Sequence, residues 1–239
     1  MEAGSAPRMT PVAERFFRDS DYWRAWSQVP DMTADIPYAL AALDSTCRRV
    51  LDAPCGRGRL LKAVRAALPD AELHGLDVNA GMIHQVQDEC PSVHTHVGSV
   101  YALPFPDRHF DAVLCHESFM HFDEPRRALA ELARVAGRRL YLSVTTRRQL
   151  NTLLRRLGLM GSSDVPHWTY DQEDILSFLP TDFTWEVRGA FLVGRKALGL
   201  GHARHARLHR LVGRRLPQWL LRRFGQTLFL YGTRVVETR

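Results

Sequence analysis

An apolar run ending in an acid leads straight into two glycines spaced G-x-G in "RRVLDAPCGRGRL", residues 48–60, and a helical pattern follows. Gly56 and Gly58 let backbone approach a ligand with no Cβ in the way, a device of nucleotide-like sites. Asp77 closes a second apolar run nineteen residues after Gly58, the place from which a carboxylate accepts both hydrogen bonds of a ribose diol. His116 and Glu117 follow another such run, and either residue type can take a proton from an incoming nucleophile; a purely structural role at the strand end is the competing reading.

Two absences narrow the ligand. The third position of a dinucleotide-type G-x-G-x-x-G is Leu61, which argues against a helix packed tightly on a pyrophosphate. The phosphate-cradling G-x-x-x-x-G-K-[ST] is missing as well. An adenosine-type ligand without pyrophosphate remains, and S-adenosylmethionine (SAM) is the candidate cofactor. Cys55 and Cys115 sit in this region, but no paired base is visible, so neither reads as a nucleophile.

The elements that must position these groups alternate in βαβ rhythm. Strands are expected at 49–51, 72–76, 93–97, 110–115, 140–144, 183–193 and 226–236. A helix with the stripe Leu60, Leu61, Val64 and Leu68 ends at Pro69, and another runs over about 80–89. Asp123 ahead of Pro125 reads as the cap of a helix carrying Leu129, Leu132 and Val135, and Thr169 with Gln172 as a capping box before Pro180. Before the first strand lie an aromatic-rich helical stretch, with Phe16, Phe17, Tyr22, Trp23 and Trp26, and a second helix over 31–43.

The 239 residues, 45% of them hydrophobic, suffice for one substantial core. No run reaches membrane-spanning length and the first residues are too polar for a secretory segment, so a cytoplasmic protein is expected. Four cysteines without a C-x-x-C pair read as free thiols. The net charge of +6 is uneven: residues 195–239 hold eleven Arg or Lys against one acid, Glu237, whereas the rest is slightly acidic. Within this basic stretch, Leu208, Leu211, Val212, Leu216, Trp219 and Leu220 form an apolar stripe kinked at Pro217 and opposed by arginines. It fits a cap over an acceptor site, a homodimer face, or a basic surface for RNA or anionic lipid, the first two being favoured. His202, His205 and His209 share one helical face there, but the neighbouring arginines repel a cation, and no metal site is assigned.

Four ordered segments, "VLDAPCGRG" (50–58), "LHGLDVNAGMI" (73–83), "LPFPDRHFDAVLCHESFMHF" (103–122) and "DEPRRALAELARV" (123–135), resemble class I SAM-dependent methyltransferases of the ubiquinone-biosynthesis or "type 11" kind. The likeness covers about residues 46–146. It implies a doubly wound, Rossmann-like α/β fold whose seven-stranded, mostly parallel sheet has an antiparallel last strand. It assigns Asp52 and the turn of Ala53, Pro54, Cys55, Gly56 and Gly58 to the methionine end of SAM, and Asp77 to the ribose. Val78 and Met82 fall near the adenine, with Ser99, Val100 and Cys115 completing the cofactor set. Pro54 stands where the family has a glycine, and Ser99 where an Asp accepts from the adenine amine.

The same likeness places His116 and Glu117 beside the reactive methyl as catalytic candidates. It makes residues 1–45 a helical lid with Tyr22 and Trp23 over the site, and residues 46–239 the catalytic domain with a basic insertion at about 194–225. His121, His167, Trp168 and Tyr170 join Tyr22 and Trp23 as acceptor-pocket candidates; bracing or packing is the alternative for each. The implied reaction is methyl transfer to an O, N or C nucleophile of a small molecule. An RNA- or protein-directed enzyme using the basic insertion is the alternative, weakened for bases by the lack of a D/N-P-P-Y motif, and a non-catalytic SAM-binding protein is the third reading.

Overall fold

The computed structural model describes residues 12–19, 35–146, 168–190, 216–225 and 227–235. In chain order the elements are α1 (Val12–Asp19), α2 (Ile36–Leu40), β1 (Arg49–Asp52), α3 (Arg59–Ala67), β2 (Glu72–Asp77), α4 (Ala80–Glu89), β3 (His94–Val97) and β4 (Phe110–Cys115). A 3₁₀ turn (Phe119–His121), α5 (Pro125–Val135), β5 (Ala136–Thr145), α6 (Gln172–Phe178), β6 (Phe183–Ala190), α7 (Gln218–Phe224) and β7 (Thr227–Arg234) follow.

The strands lie in one sheet ordered β3-β2-β1-β4-β5-β7-β6. β3 through β5 are parallel neighbours, and β7 runs antiparallel between β5 and β6, as expected. Strand side chains alternate between faces, so Leu51, Leu140, Leu142, Leu228 and Leu230 enter one core while Val50, Tyr141 and Phe229 enter the other. The first core is closed by α5 and α6, the second by α2, α3 and α4. With both faces covered, the central strands read as continuous apolar runs. The chain departs from β1 in one direction through β2 to β3 and in the other through β4 to β5, so the β1/β4 boundary is the topological switch at which such sheets bind ligands.

Two caps differ from expectation. The N-cap of α5 is Glu124, without a side-chain cap bond, because the Asp123 carboxylate accepts from the Tyr101 hydroxyl at 2.8 Å. The capping box of α6 is Asp171 with Asp174, two residues beyond Thr169 with Gln172: an acid reaches back to the Asp171 N–H at 3.0 Å. β5 begins at Ala136, four residues before the expected start, its polar opening residues Arg138 and Arg139 hiding it from an apolar count. β6 and β7 are traced to Ala190 and Arg234 within the described residues. The His202, His205 and His209 face and most of the basic insertion lie outside the described residues; of that stretch the structure shows α7, with Trp219 68% exposed and Arg222 and Arg223 also exposed. Among the described residues no helix is long and apolar enough to cross a membrane.

The helix α7 lies directly on β6. A Cβ added at Gly189 would stand 2.2 Å from the Leu221 carbonyl carbon, a backbone atom that no rotamer change can move. Gly189→Ala is therefore expected to lose about 1–3 kcal/mol by overpacking, read as a lower midpoint in urea unfolding with an unchanged slope.

Candidate active site

β1 delivers Asp52 to the carboxyl edge of the sheet, and the turn after it is sewn to its neighbours. Ala53 N–H donates to the Leu114 carbonyl and Cys55 N–H to that of Leu76, both at 2.9 Å. The Ala53–Pro54 peptide is cis. Gly56 and Gly58 have φ of 51° and 75°, in the left-handed region where glycine carries no steric cost. A Cβ at Gly58 would lie 3.0 Å from Val86 of α4, whereas one at Gly56 would meet nothing within 4 Å. Gly58 thus permits close helix packing, and Gly56 borders open space.

Asp77 ends β2 and binds this turn to the next helix: Oδ2 accepts from the Gly56 N–H and Oδ1 from the Asn79 N–H, each at 2.9 Å. Asn79 in turn caps α4 by accepting from Gly81 and Met82, while its amide donates to the Phe17 carbonyl of α1 at 2.6 Å. A second tie to α1 comes from the Ser99 hydroxyl, which donates to Glu14 at 2.5 Å, and a third from the Phe17 ring, edge-on to His121 at 4.8 Å. α1 therefore lies against the crevice edge. The contacts come from Glu14 and Phe17; Tyr22 and Trp23 lie outside the described residues. Val78 and Met82 are half-buried along this edge, Val100 and Cys115 are buried, and Ser99 stands beside Glu14.

Beyond β4 four ionisable groups converge. His116 Nε2 lies 3.1 Å from Asp35 Oδ2 without an N–H aligned on it, and Nδ1 is 3.2 Å from the Tyr141 hydroxyl. Glu117, at a φ of 52°, accepts from the Arg59 guanidinium at 2.6 Å, and Arg59 also lies 3.8 Å from Asp35. The Glu117 side chain is 35% exposed and that of His116 only 3%. Burial, then the Asp35 charge, pushes the Glu117 carboxyl up to about 7. Burial works against the charged form of Asp35 too, but His116 and Arg59 outweigh it and hold that carboxyl well below the usual range. His116 is raised in turn, the attraction of Asp35 exceeding its desolvation.

Asp52 is buried, its Oδ1 has no hydrogen-bond partner among the described residues, and burial pushes it up to about 7 despite His116 and Arg59. Asp35 Oδ1 is likewise unpartnered. An unsatisfied buried carboxylate oxygen is costly. With Asp35, Asp52, Asp77 and Glu117 set against Arg59 and His116, the crevice favours a ligand that brings positive charge and N–H or O–H donors. Although Asp35, His116 and Glu117 present donor atoms within 4.8 Å of one another, Arg59 already places a cation between the two acids.

Of the acceptor-pocket candidates, His121 packs on Phe17, and the Trp168 backbone N–H donates to the Met120 carbonyl at 2.7 Å. Tyr170 is buried, its hydroxyl spent on the Phe122 carbonyl at 3.0 Å. His167 lies outside the described residues. The Cys55 and Cys115 thiols are buried and pushed up first by desolvation, the opposite of an activated nucleophile. Sequence reasoning missed Asp35, Arg59, Tyr141 and Glu14. Asp35 falls inside the helix expected over 31–43, but α2 spans only Ile36–Leu40, and the Asp35 side chain just before it makes no cap bond and lies 3.1 Å from His116 Nε2.

Residues 50–138 match the model of a family described as methyltransferase domain. A demethylmenaquinone methyltransferase of Deinococcus radiodurans is 30% identical over 157 residues, 59% of this chain and 65% of that one. This chain thus spans just under two thirds of that relative. Among solved structures, the magnesium protoporphyrin IX methyltransferase of Synechocystis PCC 6803 with bound S-adenosylhomocysteine (SAH) superposes with a TM-score of 0.65 at 19% identity, covering 94% of this chain and 99% of that one. The plantazolicin methyltransferase BpumL, in complex with a desmethyl plantazolicin analogue and SAH, gives 0.63 at 17% identity, covering 94% and 95%.

The Asp52 carboxyl yields a pH prediction. Its folded value near 7 exceeds the unfolded value of about 3.9, so between these the folded state holds a proton that the unfolded chain has lost, and stability falls as pH rises. Asp52→Asn removes this penalty. Its melting temperature is expected to exceed that of the natural protein by more at pH 8 than at pH 5, at about 2–4 °C per kcal/mol recovered; scanning calorimetry at the two pH values checks it.

Proposed function

We propose that the chain is a class I, SAM-dependent methyltransferase that transfers a methyl group from SAM to an O, N or C nucleophile of a small molecule, a reading supported by the match of residues 50–138 to a methyltransferase-domain family and by the relative described above. The observation that carries this reading is the crevice at the β1/β4 switch: open space beside Gly56, edged by buried acids of which Asp52 keeps an unpartnered oxygen. Those residues fit the group. Asp52 faces the ammonium of the methionine end, the turn of Ala53, Pro54, Cys55, Gly56 and Gly58 follows its backbone, and Asp77 uses its remaining lone pairs on the ribose hydroxyls. Val78 and Met82 flank the adenine, with Ser99, Val100 and Cys115 lining the same side. When bound, SAM supplies both the electrophilic methyl and its own leaving group.

The protein's part is alignment, exclusion of water and proton removal. α1 closes the cofactor edge through Glu14, Phe17 and Asn79. Glu117 is the better placed of the two catalytic candidates for taking a proton from the acceptor, since it is the more exposed and titrates near neutrality. His116 is enclosed between Asp35 and Tyr141, and its pull on Glu117 is weaker than the influence of Asp35 and Arg59. The names of the relatives and neighbours span demethylmenaquinone, magnesium protoporphyrin IX and plantazolicin, which supports a small-molecule acceptor without selecting one.

Calorimetric titration with SAH tests the cofactor site: Asp77→Ala is expected to weaken binding by about 1.5–3 kcal/mol, the loss of charged hydrogen bonds, and unchanged affinity would remove Asp77 from the site. With an acceptor drawn from a panel of phenols, amines and carboxylic acids, kcat is expected to climb through about pH 7 as Glu117 ionises. Glu117→Gln should abolish that climb and lower kcat by about 10²–10⁴ while SAH affinity holds; an unaltered pH profile would assign the proton elsewhere.

A further inference from the structure

A second group of ligand-type side chains lies at the other end of the sheet. "ELHGLD" and "VHTHV" each place polar residues at i and i+2, and period-two alternation puts such pairs on one face of a strand. The parallel register then sets His74 of β2 opposite His94 of β3. Glu72, His74, His94 and His96 consequently share the face that carries Leu76, with His96 opposite Leu76 and one step along the sheet from His74. Thr95 points to the opposite face, where its hydroxyl accepts from Gln87 of α4. At about 3.3 Å per residue, the cluster lies on the order of 10–16 Å from Asp77 along β2, away from the crevice described above.

The atoms are close. His74 Nε2 is 2.8 Å from Glu72 Oε1, its Nδ1 is 3.2 Å from His96 Nε2, and its ring centroid is 4.9 Å from that of His94. Glu72, His74 and His94 each offer one donor atom, all within 4.8 Å of one another. A tetrahedral shell with bonds of about 2.0–2.1 Å separates its ligands by roughly 3.3 Å, which rotation of the exposed Glu72 and His94 side chains can reach. The surroundings are those of a built site. The second Glu72 oxygen accepts from Arg49 Nε at 3.2 Å, with Oε1 turned toward His74. Phe105 and Phe110 pack edge-on against the His74 ring and hold it in place.

We propose that Glu72, His74 and His94 form a binding site for one divalent late first-row cation, Zn²⁺ being the physiological candidate, with His96 as the hydrogen-bond partner that orients His74. An ion on His74 Nε2 leaves the proton on Nδ1, which His96 Nε2 then accepts, the outer contact that metal-bound imidazoles regularly make. Two nitrogens and one carboxylate oxygen suit Zn²⁺, Ni²⁺ or Cu²⁺ rather than Mg²⁺ or Ca²⁺. The fourth position opens to water, because His94 and Glu72 are exposed. β3 is the edge strand of the sheet, so the ion pins the edge to β2 and strengthens a pairing that is otherwise held on one side only.

The test is zinc titration of the chelator-stripped full chain by isothermal calorimetry, paired with melting temperatures with and without zinc. One equivalent is expected to bind and to raise the melting temperature, since the ion binds the folded and not the unfolded arrangement. His94→Ala and Glu72→Gln, both at exposed side chains, should abolish that event or weaken it beyond tenfold, and His96→Ala should weaken it by about 10–100-fold. His84→Ala, which removes the separate exposed His84 and Asp88 pair on α4, should leave it intact. Absence of a one-equivalent event in the natural chain, or an event of equal affinity in His94→Ala and Glu72→Gln, would overturn the proposal. Melting of the variants without zinc verifies that they are folded. SAH affinity is measured on the same samples, so failure here is distinguishable from failure of the cofactor assignment.

Discussion

The carboxylate of Asp77 accepts the Gly56 N–H with one oxygen and the Asn79 N–H with the other, and much of the crevice hangs from that pair of bonds. Burial raises its pKa, and the backbone N–H groups of Asn79, Gly56 and Val78 only partly pull it back, so the acid sits in the protein at a cost that the amides reduce but do not remove. Through Gly56 it fixes the turn after β1. Through Asn79 it fixes the start of α4, and the Asn79 side chain passes the constraint to α1. A single strand-end acid thus couples the turn, α4 and α1, and a ligand that adds donors to its remaining lone pairs strengthens all three.

The remaining acids share one low-dielectric neighbourhood. Asp35, Asp52 and Glu117 lie near one another with Arg59 and His116 as counter-charges, so none titrates alone. The divergence within this group is informative: Asp35 is held ionised by two cations, whereas Glu117 and Asp52 are pushed toward neutrality at pH 7. Neighbouring acids driven apart in this way separate a fixed charge from a group that can exchange protons near neutral pH. The methyl transfer proposed above needs little more from the protein than that, since the leaving group comes with the donor.

The sheet spreads different chemistry along its strands. Its carboxyl edge, at the β1/β4 switch, carries the glycine turn and the acids. The opening residues of β2 and β3 carry the histidine cluster, with the rings of Phe105 and Phe110 edge-on against His74. Both arrangements follow from parallel pairing, which brings equivalent ends of neighbouring strands together.

The sequence by itself determined the strands, the glycine turn and the acid at the end of β2. These depend on local patterns: apolar runs, left-handed glycines, and residue types at strand ends. The expected span of β4 was met residue for residue, and α4 was bounded as expected. What only the tertiary structure decided were the partners. Arg59 meets Glu117 across 58 residues of chain, Ser99 meets Glu14 across 85, and Asp35 reaches His116 from a position that the sequence pattern places inside a helix. The histidine cluster was equally hidden, because "LHG" and "HTH" become neighbours only once the β2/β3 register is set. Charge, burial and pKa belong to such long-range meetings: a side chain's type travels with the sequence, but its dielectric and its counter-ion arrive only when distant strands pair and the helices close over them.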